Sequence, residues 1–71
     1  MNEWTNRIGM SICVTMIPRG ETEPYTTSGT VSKCDGVYVQ CDGADGQPFS
    51  FAIADIEEMA NWRGTILVHL K

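Results

Sequence analysis

The chain has few of the residues that bind phosphate, hold a metal or staple a secreted fold. Its 71 residues include five Lys and Arg against nine Asp and Glu, with one His and three Cys. A formal net charge of −4 at pH 7 weighs against a phosphate-binding surface, because nucleic-acid affinity comes largely from Lys and Arg displacing counterions. It favours a basic partner, including the basic groove of a DNA-binding protein. Cys13, Cys34 and Cys41 are odd in number and contain no C-x-x-C pair, so a disulfide scaffold is not expected. They read as reduced, buried small hydrophobes in a reducing compartment.

Other absences narrow the class further. The start, Met1-Asn2-Glu3-Trp4, has no basic region and no apolar run, so a secretory leader is not expected. The longest apolar stretch, Ile8 to Ile17, is interrupted by Gly9, Ser11, Cys13 and Thr15, too short and too polar to span a bilayer. The cytoplasm is the expected address. No glycine-rich phosphate loop of Walker or dinucleotide type occurs, and no cofactor is expected.

What is present is an apolar fraction of 42%, enough for a core. A chain of this length makes one domain, residues 1–71, that buries only about 60% of its unfolded surface. From Ile8 to Met16 every second residue is large and apolar (Ile8, Met10, Ile12, Val14, Met16), the period-two signature of a half-buried strand. Pro18 ends it, and residues 19–24 read as a loop. A second strand is expected over 25–34, rich in Thr, Ser and Val, with Gly29 as a bulge or bend. Asp35-Gly36 is the sequence of a tight two-residue hairpin turn, which would pair Cys34 with Val37, Ser32 with Val39 and Thr30 with Cys41 on one face. Lys33 and Tyr38 would share the other face.

Asp42-Gly43-Ala44-Asp45-Gly46 reads as a looser turn, followed by a strand over 47–53 with Phe49, Phe51 and Ile53 inward and Pro48 at an edge. Asp55 and Glu58 form a capping-box-like pair, and Ile56, Met59 and Ala60 fall at helical spacing. That predicts a two-turn helix closed by Asn61-Trp62-Arg63-Gly64. Thr65 to Leu70 is the last strand, with Ile66, Val68 and Leu70 inward and Leu67 and His69 outward. The expected fold is mainly β: five strands in a partly open barrel or meander, with one short helical turn before the last strand. This order matches the layout of small SH3-like barrels, without the acidic and aromatic motifs of their peptide-binding members. The alternative is an α+β sheet with the helix packed across it.

Candidate chemistry is sparse. His69 is the single histidine and lies on an outward face without a sequence-local partner, so catalysis is not expected. Cys13 and His69 become neighbours if the first and last strands pair, but two ligands do not make a zinc site. Asp42 and Asp45 lack the spacing and distal Glu of a calcium loop. For nucleic acid, Lys33 with Tyr38 is the one suggestive pair; Tyr25, Trp4 and Trp62 could stack bases, while the basic residues are scattered.

Protein contact remains. In a meander, the first loop and the third turn share one end, gathering Glu21, Glu23, Asp42 and Asp45. Asp35, Asp55, Glu57 and Glu58 gather at the other. The simpler explanation is that charge collects in loops; the sharper is that one pole steers a basic partner. The outer face of the first and last strands would also expose Cys13, Ile17 and Leu67 beside His69, a second contact surface. Its cover could be another strand, the N-terminal segment with Trp4, or a second subunit paired edge to edge. The expected function is a non-enzymatic, acidic protein-interaction domain, extending to a small inhibitor or accessory protein of phage or mobile-element type. The alternative is a small nucleic-acid-binding barrel.

Overall fold

The computed structural model describes residues 3–71; Met1 and Asn2, part of the stretch read for a leader, lie outside the described residues. The fold is mainly β. Its strands are β1 (Ser11–Met16), β2 (Tyr25–Cys34), β3 (Tyr38–Gly43), β4 (Pro48–Ala52), β5 (Ile56–Trp62) and β6 (Thr65–Leu70). Two 3-10 turns, Glu3–Arg7 and Ile53–Asp55, accompany them. All six strands form one sheet in the order β4-β3-β2-β1-β6-β5, in which only the β1–β6 pair is parallel.

β4 and β5 occupy opposite edges of that sheet, yet only Ile53–Asp55 separates them. A link from Ala52 to Ile56 reaches at most roughly 14 Å, so the sheet must curl until its edges approach. Two backbone hydrogen bonds fix the link: Ile53 N–H donates to the Val37 carbonyl, and Lys71 N–H donates to the Asp55 carbonyl. No ladder joins β4 to β5 among the described residues, and the barrel stays open along that seam.

The core lies on the concave side. It contains Ile12 and Val14 of β1, Val31 of β2, Val39 and Cys41 of β3, Phe51 of β4, Ile66, Val68 and Leu70 of β6, and Trp4. The alternations over 8–16 and 65–70 therefore point as expected from Met10 onward. Ile8 does not: it is 48% exposed, and β1 starts at Ser11 because Gly9 takes φ +92° and turns the chain.

Residues 56–62 are a strand where a helix is expected, which makes the strands six and puts the short helical turn before β5. A two-turn helix is marginal by itself, whereas this segment pairs with β6 from Ile56↔Leu70 to Trp62↔Thr65. Arg63 (φ +51°) and Gly64 (φ +82°) form the two-residue link. Two consecutive positive φ values are the mark of a type I′ hairpin turn, whose twist suits the flanking strands. Asn61 adds a side-chain bond, its Oδ1 accepting from Gly64 N–H at 3.3 Å.

The turn at Asp35-Gly36 is also longer than expected. Cys34 faces Val39, not Val37. Asp35 Oδ1 accepts from Val37 N–H (2.9 Å) and Tyr38 N–H (2.8 Å), and this side-chain closure holds both residues out of the two-residue hairpin register. Val37 is consequently exposed. A register shift between Val31 and Lys33 places Val31 opposite Cys41, so Val31 fills the core and Ser32 and Thr30 do not. Gly29 is not the bulge. It pairs with Gly43, and a β-carbon there would overlap the Asp42 carbonyl oxygen.

Candidate protein-interaction surface

Trp4 decides which surface is uncovered. The sequence offers it as one cover for the outer face of the first and last strands, but it is 4% exposed and packs inside the barrel. Its ring meets Phe51 edge-on, and the Arg7 guanidinium lies 4.8 Å over it. A large apolar ring gains more from full burial than from lying on a sheet's outer face. Trp4 is therefore not a base-stacking platform either.

Across the outer face, parallel and antiparallel registers align residues of three strands. Thr15 of β1 faces His69 of β6, which faces Glu58 of β5; Cys13 faces Leu67, which faces Ala60. Together with Met59 they line an open groove of about 580 Å³. Its floor is apolar, with Leu67 exposed and Cys13 half-buried, while Met59, paired with the buried Val68, directs its side chain to the opposite face and contributes only its edge. Its rim is acidic. Glu57 Oε2 stands 3.5 Å from His69 Nε2, an ion pair when the imidazole is protonated. Ile17, grouped with Cys13, Leu67 and His69 from sequence, is exposed but lies past the end of β1 and does not line the groove.

The β5 wall of this groove (Glu58, Met59, Ala60) was missed by sequence reasoning. Six of the seven β5 residues are exposed, so the strand shows no apolar alternation. The available signal was Gly64, a residue free to take the positive φ of a tight turn, standing between two runs of strand length.

Glu21 and Glu23 lie on the first loop and Asp45 on the β3–β4 turn, with Asp42 at the end of β3 before it; the two connections leave the sheet in the same direction, but staggered. The first loop leaves at Met16↔Tyr25, and the β3–β4 turn leaves at Gly29↔Gly43. These positions are four residues apart on β2, roughly 13 Å. The Asp45 carboxylate is engaged in its own turn, accepting from Gln47 N–H at 2.9 Å. On the other side, the Ile53–Val37 hydrogen bond sets the second 3-10 turn beside the Asp35 loop. Two backbone N–H donors, Tyr38 first and then Val37, hold the Asp35 carboxyl below its ordinary value.

Lys33 faces Gln40, so Tyr38, two residues earlier on β3, is its diagonal neighbour on an exposed face. The other basic groups do not gather there. Arg63 lies 4.9 Å over the Trp62 ring, and Lys71 Nζ donates to the Ala54 carbonyl at 3.2 Å. Among the described residues no three His, Cys, Asp or Glu come together as metal ligands. No helix among them is long and apolar enough to cross a membrane. Burial, and secondarily Asp42, pushes the Cys41 thiol up to about 11. No family model, curated protein or solved structure matches the chain.

Proposed function

We propose that the chain is a non-enzymatic protein-interaction module that seats a basic segment of a larger partner in the groove across β1, β6 and β5. The observation that carries this reading is the pairing of an apolar floor (Cys13, Leu67, Ala60) with a carboxylate rim (Glu57, Glu58) on a molecule of net charge −4. An apolar floor gives an anchor residue somewhere to bury, and the rim selects for positive flanks. The staggered acids Glu21, Glu23, Asp42 and Asp45 extend the negative field and raise the encounter rate with such a partner. The size and charge suit an inhibitor or accessory protein of phage or mobile-element type working in the cytoplasm, where its three thiols stay reduced.

The test uses short Lys/Arg-rich peptides with one central Leu, the same peptides with Ser at that position, and single-stranded DNA. The Leu peptides should bind, weaken with salt, and lose affinity when Leu67 is changed to Lys in a protein that still folds. Binding to DNA that depends on Lys33 and Tyr38, with no peptide binding, would support the nucleic-acid reading instead and overturn this one.

A further inference from the structure

The two edges of the sheet differ. β4 is short and opens with Pro48, which blunts an edge because proline offers no ladder donor. β5 contains no proline and no lysine. Its register shift is confined to Ile56–Glu58, leaving Glu58 to Trp62 as five regularly paired residues with no strand on their outer edge among the described residues. We propose that a second copy of this chain pairs with that edge, β5 against β5, in an antiparallel two-fold ladder centred on Ala60.

The register follows from parity and charge. When a strand pairs antiparallel with its own copy, facing residues must both direct their N–H and C=O groups toward the partner or both away. One residue therefore faces itself at the two-fold axis. Centring on Glu58 sets carboxylate against carboxylate, which destabilises a ladder. Centring on Met59 drives Asn61 onto the irregular Glu57 and keeps only the middle of the run. Centring on Ala60 uses the whole regular segment: Ala60 faces Ala60, Met59 faces Asn61, and Glu58 faces Trp62. Glu58 and Trp62 share the outer face, set by their partners His69 and Thr65.

The Arg63 guanidinium lies over that same Trp62 ring, 4.9 Å from its centre. Each Glu58 thus meets the partner's Arg63, twice across the axis, and the strand is self-complementary in charge: acids at its start, a cation just past its end. The row Cys13, Leu67, Ala60 continues across the axis into its symmetric copy. The two grooves become one, which extends the proposed binding surface without being required by it.

Sedimentation equilibrium of the full chain, without peptide, tests the dimer apart from the function. The expected result is a reversible monomer–dimer equilibrium below about 1 mM. Arg63→Asp and Glu58→Arg should each weaken it about tenfold by setting like charges together. The double variant Glu58→Arg/Arg63→Asp should return to within about threefold of the parent, because the swapped pair attracts again. A chain that stays monomeric, single variants without effect, or a double variant that does not recover would each overturn the proposal. Should a single variant fail to fold, contacts between the Trp62 ring and Glu58 of the other copy in a mixed-label NMR sample decide the matter on the parent: their presence supports the register and their absence overturns it.

Discussion

The Trp4 ring stands edge-on to Phe51, with centroids 5.7 Å apart and planes at 74°. That contact joins the first 3-10 turn to the edge strand β4 and fills the barrel beneath its open seam. It also leaves the outer face of β1 and β6 bare. Replacing Trp4 with Ala should cost about 3–5 kcal/mol, most of the stability expected of a domain this small. Urea unfolding followed by circular dichroism checks this; a loss below about 1 kcal/mol would mean that Trp4 is not a core residue.

Gly29 and Asp42 make the second telling contact. Since any β-carbon at 29 would run into the Asp42 backbone carbonyl, Gly29→Ala must push β2 and β3 apart. Overpacking of this kind costs about 1–3 kcal/mol, against the usual gain from replacing glycine in a strand. A melting temperature unchanged or raised in the alanine variant would contradict the close approach.

The Asp35 loop predicts a pH dependence with a definite sign. The folded carboxyl lies below its ordinary value of 3.8 because two backbone N–H groups bond its charged form. Its stabilisation is therefore fully present above the unfolded value and is lost as pH falls through the folded one. Asp35→Ala should lower the melting temperature at neutral pH, and the gap to the parent should close in acid. Asp35→Asn, which keeps an acceptor oxygen, should lose less. A gap that widens in acid would refute the assignment.

Cysteine labelling separates the three thiols. Cys41 is buried and its thiol is raised to about 11, while Cys13 and Cys34 are half-buried. At about pH 8 only about one Cys41 in a thousand is thiolate, so alkylation of the native protein should modify Cys13 and Cys34 first. Mass spectrometry of timed samples reads the order. Early modification of Cys41 would contradict the inward face of β3.

Much of the fold was legible because period-two alternation is a strong signal wherever one face is buried. β1, β4 and β6 follow it through Ile12 and Val14, Phe49 and Phe51, and Ile66, Val68 and Leu70. β5 was not legible because it is exposed on both faces, so its Asp55…Glu58 spacing imitated a helix cap. The register of β2 on β3 was hidden for another reason. Asp35 can close either a two-residue turn or the wider loop seen here, and Val31 inward instead of Ser32 decides between them only in three dimensions. The pairing of Cys13, Leu67 and His69 was accessible from the order of strands. The groove was not, because one of its walls comes from β5 and its openness depends on Trp4 turning inward.

The central claim is that the face shared by β1, β6 and β5 receives a basic partner segment. Amide chemical-shift mapping during titration with a Lys/Arg-rich peptide carrying a central Leu tests it most directly. Shifts should cluster at Cys13, Thr15, Glu58, Ala60, Leu67 and His69 and diminish with added salt. Shifts centred instead on Lys33, Tyr38 and Gln40, or an unchanged spectrum at saturating peptide, would contradict it.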